Sequence, residues 1–132
     1  MDWTELSRLL DAQGAIWSKL KAADKFRVMW QAYGLSREPE EEFKFDPPFR
    51  WSIDYAWPEL KLGVEIHGFG FGHQSQQGLS RDCQKMRRAF VLGWLIVPFT
   101  TRCISSKQNC FDAVEEVSEL LIRQAQKKEG LP

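Results

Sequence analysis

The chain has 132 residues, 18 lysines and arginines balanced by 18 aspartates and glutamates, and a pI near 6.7. This length suits one domain with one core and excludes two full ones, while six tryptophans and nine phenylalanines exclude a disordered composition. A formal net charge of zero excludes the general basic excess of nucleic-acid binders, so any DNA-binding surface has to be local.

The start, MDWTELSRLLD, has neither a basic n-region nor an apolar h-region. No apolar run approaches the roughly 20 residues of a membrane span. The three cysteines, Cys83, Cys103 and Cys110, form no CxxC pair, which argues against a disulfide framework or a cysteine zinc site. The expectation is a soluble cytoplasmic protein with reduced thiols and no membrane partner.

Residues 3–34 read as helical, with apolar residues at 3, 6, 9 and 10 and again at 16, 17, 20, 26, 29 and 30, and with Gly14 and Gly34 as helix ends. SREPEEEFKFDPPF is a connector rich in acids and prolines, in which Phe43 and Phe45 alternate well enough to begin a short strand. Its run Glu40, Glu41 and Glu42 reads as solvated. Trp51, Ile53, Tyr55 and Trp57 alternate with polar or small residues, and Leu60, Leu62, Val64 and Ile66 do the same after Pro58-Glu59, which predicts a hairpin. GFGFGHQSQQG reads as a loop, and LSRDCQKMRRAFVLG as a helix with Leu79, Cys83, Met86 and Phe90 on its apolar stripe, closed by Gly93. WLIVPFT is a short buried strand whose Pro98 suits a sheet edge. The last helix, over 107–128, is apolar at 111, 114, 117, 120 and 121 and ends in basic residues. Trp51, Trp57 and Trp94 are expected in the core. The expected architecture is a single α/β domain: N-terminal helices over 1–36, a mixed sheet with a hairpin over 43–102, and a C-terminal helix.

A turn at Pro58-Glu59 opposes 57 to 60, 55 to 62, 53 to 64 and 51 to 66, all apolar pairs. The other face then pairs Asp54 with Gly63, Ser52 with Glu65 and Arg50 with His67. Asp54 and Glu65 become diagonal neighbours, within the ~7–8 Å that a shared ion bridges. Two carboxylates beside the side-chain-free Gly63, completed by the carbonyl of Ile66, form a hard-oxygen site suited to Mg²⁺ or Mn²⁺. His67, on the same face, suits three roles: holding a water, carrying a proton or binding metal. The competing reading is an ordinary solvated sheet face.

The layout D-x10-E-x-[K/H/E] on a hairpin, followed by a Gly-rich loop, a helix with Arg-Asp and a Gly-Trp strand, resembles the PD-(D/E)XK nuclease superfamily. The matching stretches are IDYAWPELKLGVEIHG, GLSRDCQKMRRAFVLGW and LIVPFT, and they most resemble small stand-alone endonucleases of phages and mobile elements. HGFGFGH is similar to a histidine- and aromatic-rich segment of the very short patch mismatch repair endonucleases. The resemblance covers roughly residues 43–102. It implies a restriction-endonuclease-like core, Mg²⁺ or Mn²⁺ held by Asp54 and Glu65, DNA as substrate and, for a phage protein, the host cytoplasm as location. The family's lysine, two residues after the glutamate, is His67 here; Lys85 or Lys61 would then be a relocated lysine.

Around this site, Arg81, Lys85 and Arg88 fall on one helical face away from the apolar stripe and form the local basic patch that zero net charge requires. Arg50, His73 and Gln74 are assigned to DNA with them. Asp82 either orients a site histidine, joins a metal shell or pairs with Arg81 and Lys85. Phe69 and Phe71 either stack on bases or pack over the sheet edge. One site per chain implies a nick; a homodimer would give a double cut.

Overall fold

A computed structural model describes residues 4, 17–33, 37–67 and 76–130, with backbone alone at 67, 76, 77 and 79. The expected helix before Gly14, the glycine-rich loop with Phe69 and Phe71, and the candidate residues His73 and Gln74 lie outside the described residues. The chain divides into two compact units, residues 39–100 and residues 1–38 with 101–132.

The first of these units is α/β. Strand β1 (Glu40–Lys44) pairs antiparallel with β2 (Ser52–Trp57), β2 pairs antiparallel with β3 (Leu62–His67), and β3 pairs parallel with β4 (Leu95–Thr100), in the order β1-β2-β3-β4. A parallel pair needs a crossover, and helix α2 (Gln76–Val91) lies between β3 and β4 in the chain. Numbering in chain order makes Ala22–Tyr33 helix α1 and Lys107–Lys128 helix α3. The acidic run at 40–42 is strand rather than connector: it forms an exposed edge, where charge discourages pairing with another chain. The opposite edge is β4, which carries Pro98.

The hairpin turn differs from the expected one. Pro58–Leu60 form a 3-10 turn and Lys61 adopts the left-handed conformation (φ 50°), so four residues make the connection and Trp57 meets Leu62, with Tyr55 opposite Val64. The register is therefore displaced by two residues, and Ala56, not Asp54, faces Gly63. Parity survives a displacement of two, which is why the alternation of apolar residues did not reveal it.

Between the sheet and α2 lies an apolar cluster of Phe45, Ile53, Ala56, Ala89, Trp94 and Ile96, with Phe43, Trp51, Met86 and Leu92 packed against it. The expectation that Ile53 lies on the first face with Tyr55 and Trp57 is thus corrected: it packs with Ala56 and against Gly63 of the second. Gly63 leaves the room that Ile53 and Ile96 occupy; a Cβ on it would lie 2.7 Å from Ile53 Cγ2 and 3.0 Å from Ile96 Cδ1. The expected apolar stripe of α2 is also corrected. Ala89 is buried and Met86 half-buried, whereas Phe90 and Cys83 are exposed.

In the second unit, α1 packs with α3 and with the 3-10 turn Arg102–Ile104. Ser106 caps α3 by accepting the Asn109 N–H. Phe26, Met29 and Trp30 of α1 are buried, as are Cys110, Val114, Val117 and Leu121 of α3. Trp30 Nε1 donates to the Arg37 carbonyl (2.9 Å), and Trp17 Nε1 and Lys25 Nζ both donate to the carbonyl of Ser105 (3.1 and 3.2 Å). No helix among the described residues is long and apolar enough to cross a membrane.

Candidate active site

The β2–β3 ladder runs from Trp57–Leu62 to Tyr55–Val64 and then lapses. The next pair in register is Asp54 and Glu65, so these carboxylates stand directly opposite each other, not on the expected diagonal. On the other side of β2 the pairing also skips Asp54: Glu41 meets Tyr55 and Phe43 meets Ile53, while Glu42 between them has φ 48°. Asp54 thus sits where β2 leaves regular pairing with both neighbours.

Side chains take over the backbone bonds lost there. Asp54 N–H donates to Glu65 Oε1 (3.0 Å), and Ile66 N–H donates to Asp54 Oδ2 (2.7 Å). Each carboxylate is thereby fixed to the opposite strand. Buried backbone donors require a partner, and here the carboxylates provide it.

Helix α2 brings a cation to this pair: Lys85 Nζ donates to Glu65 Oε2 at 2.9 Å, with the side chains of Lys85 and Glu65 only 18% and 8% exposed. Burial raises the Glu65 pKa above its ordinary value; the Lys85 hydrogen bond and charge oppose this, the Asp54 charge adds to it, and the Asp54 N–H opposes it. Of the two lysines considered as relocated, the structure brings Lys85 to the carboxylates. Lys61 Nζ instead donates to the Leu92 carbonyl (2.8 Å) at the end of α2.

The predicted basic face of α2 is divided. Lys85 turns to Glu65, Arg88 Nε pairs with Asp46 Oδ2 at 2.6 Å, and Arg81 is exposed. The correction follows from the stripe: residues 85, 86 and 89, rather than 83 and 90, face the sheet. Arg50 is exposed just before β2. His67 follows Glu65 by two positions along β3, opposite Thr100 of β4.

Asp46, which holds Arg88, was not singled out from the sequence; nor was Phe49, half exposed beside the hairpin. The only available signal was the spacing of Phe45, Phe49 and Trp51 around the DPP turn.

Among the described residues, no group of three or more His, Cys, Asp and Glu side chains gathers as a metal-ligand set. The donors at the carboxylate pair are hard oxygens, and Asp54 Oδ1 accepts no hydrogen bond among the described residues. Mg²⁺ characteristically takes one or two carboxylates and completes its octahedron with water and substrate phosphate, so the pair with the Ile66 carbonyl fits that ion. Compared with models of known protein families, with curated proteins and with solved structures, the chain matches none.

Proposed function

We propose that this chain is a metal-dependent DNA endonuclease with a restriction-endonuclease-like core, hydrolysing phosphodiester bonds in a phage, mobile-element or repair setting. The observation that carries the proposal is the approach of Lys85 Nζ to Glu65 Oε2 at 2.9 Å, beside the directly opposed Asp54. It supplies, from α2, the acid–acid–cation set that the resembling family builds with a lysine two residues after its glutamate.

Asp54, Glu65 and the Ile66 carbonyl would hold Mg²⁺ or Mn²⁺. A divalent ion supplies Lewis-acid polarisation of a phosphoryl oxygen and lowers the pKa of a bound water. Lys85 orients Glu65 and adds positive charge beside the scissile phosphate, where charge develops in the transition state. His67, two residues after Glu65 in β3, serves the attacking water or the leaving oxygen as a proton carrier. Exposed Arg50 and Arg81 contact backbone phosphates. One such site nicks one strand, and a double cut requires two copies.

A second reading is favoured by the same salt bridge: Lys85 already neutralises Glu65, so the pair also suits a non-catalytic nuclease-fold module that binds DNA without metal. Cleavage of labelled duplex, mismatched, junction and single-stranded DNA in Mg²⁺, Mn²⁺ or EDTA separates the readings. The proposal expects metal-dependent cleavage of at least one substrate. DNA binding without cleavage, and without binding of either metal, would establish the module instead.

A further inference from the structure

Just before β2, three aromatic rings run from the core to the surface. Phe45 is buried, Trp51 stacks on it (centroids 6.4 Å, interplanar 18°), and Phe49 stacks on Trp51 (4.6 Å, 10°). Phe49 is 49% exposed. It follows the turn that begins at Asp46, closed by the Phe49 N–H on the Asp46 carbonyl (2.9 Å). The recess around the outer rings, about 420 Å³, is lined by Phe49, Trp51, Gln84, Arg87, Arg88 and Val91.

A monomer has no evident use for an exposed ring stacked so closely, with a 73% exposed Val91 at the same recess. The charges around it restrict the occupant. Arg87 is exposed and makes no ion pair among the described residues, Arg88 is held by Asp46 and remains 44% exposed, and Arg50 lies between the two outer rings in sequence. Cations bordering an aromatic stack match a strand that presents phosphates at its edge and flat bases along its length. An apolar peptide would offer Arg87 no partner.

We infer that Phe49 and Trp51 form a stacking platform for an unpaired nucleobase of a DNA strand, with Arg87 and Arg88 on its phosphates. This rests on the reading of DNA as substrate and narrows it to DNA with unpaired bases near the cut. The spacing suits that role. Trp51 precedes Asp54 by three residues, about 10 Å of extended chain. A base on the platform is thus within a few nucleotides of a phosphate held at Asp54 and Glu65.

The test measures anisotropy of a labelled blunt duplex and of the same duplex carrying an unpaired thymidine tail, both in EDTA, with cleavage in Mg²⁺ assayed in parallel. Wild type should bind the tailed duplex on the order of tenfold more tightly, and Phe49→Ala should lose that preference while binding the blunt duplex nearly as before. Phe49→Leu, which keeps apolar bulk without a ring, should lose it too; Phe49→Trp should keep it. Equal binding of the two duplexes by wild type, an unchanged preference in Phe49→Leu, or no DNA binding at all overturns the platform. A ring-dependent preference without any Mg²⁺-dependent cleavage upholds the platform and overturns the nuclease reading. Cleavage with no effect of Phe49→Leu on the preference does the reverse.

Discussion

Asp54 and Glu65 are locked together through their backbones: the Asp54 N–H donates to Glu65 Oε1 at 3.0 Å, and Asp54 Oδ2 receives the N–H of Ile66, the residue after Glu65, at 2.7 Å. The lock orients both carboxylates at a point where the strands have stopped pairing, and it separates their structural role from their chemical one. An amide oxygen accepts a backbone N–H as a carboxylate does, so Asp54→Asn and Glu65→Gln keep the lock and lose the charge. Asp54→Asn should retain the fold with a stability change within about 1.5 kcal/mol, and Glu65→Gln should retain it at a further cost of about 1–3 kcal/mol, because its amide nitrogen then faces the Lys85 ammonium that Oε2 accepts in the wild type. Each should lower Mg²⁺-dependent cleavage on the order of a hundredfold or more, since several kcal/mol of transition-state stabilisation depends on the ion. Asp54→Ala also orphans the Ile66 N–H, at about 1–3 kcal/mol. Urea melts and cleavage rates on the same preparations make the comparison. Wild-type cleavage by either amide variant would remove that residue from the site.

Lys85 offsets the burial of Glu65, and its removal has a pH signature. The folded-state pKa of Glu65 is raised, chiefly by burial and against the pull of Lys85, so the neutral acid suits the fold better than the carboxylate. Its favourable contribution is fully present below the ordinary value of 4.5 and is lost as pH rises through the raised folded value. In EDTA, wild type should therefore lose stability relative to Glu65→Gln from about pH 4.5 upward. Lys85→Met should lose more, by about 1.5–3 kcal/mol above that range, because the Asp54 N–H alone then stabilises the buried charge. Melting temperatures across pH 4–8 check this. Parallel pH curves for wild type and Lys85→Met would show that the lysine does not compensate Glu65.

How far the sequence foretold this site depends on which interaction fixed each part. The alternation of Trp51, Ile53, Tyr55 and Trp57 with polar residues made β2 legible, and the pattern of the last helix gave its bounds, Lys107–Lys128. Register was not legible, because a four-residue connection closed by Lys61 at φ 50° shifts the partner of Asp54 by two places without changing which residues alternate. The roles along α2 were not legible either. Its exposed face carries Cys83 and Phe90 while Lys85, Met86 and Ala89 turn inward, a helical spacing that apolar residues alone do not mark because a lysine paired with Glu65 belongs to it. The two lysine candidates looked alike in sequence, and only tertiary structure placed Lys61 against the end of α2 and Lys85 against Glu65.

Gly63 tests whether the space beside the carboxylates belongs to packing. A methyl at that position would meet Ile53 Cγ2 at 2.7 Å and Ile96 Cδ1 at 3.0 Å, and both side chains are buried. Gly63→Ala should destabilise by about 1–3 kcal/mol through overpacking. Ile53→Ala alone should cost about 2–5 kcal/mol through the cavity it leaves. The double variant should cost less than the two together, because the new methyl fills part of that cavity. Denaturant midpoints for the three variants supply the cycle. Strict additivity would mean that Ile53 does not occupy the space above Gly63.

Cys110 gives a check on the other unit that is independent of any activity. Its thiol is buried, its Sγ–H donates to the Lys25 carbonyl at 3.5 Å, and burial pushes its pKa to about 12 from an ordinary 9.0, a rise that the Lys25 charge only partly opposes. The reactive species is the thiolate, so at pH 8 a thiol reagent should label the exposed Cys83 and Cys103 quickly and Cys110 only on unfolding. The sign of the pH effect follows from the raised folded value: the stability due to this thiol is complete below pH 9.0 and is lost as pH rises toward about 12, where the unfolded thiol has long been ionised. Cys110→Ala should be less stable at neutral pH and should lack that alkaline slope. Mass spectrometry after timed labelling distinguishes the three thiols, and labelling of Cys110 at the rate of Cys83 in the native protein would contradict its burial between α1 and α3.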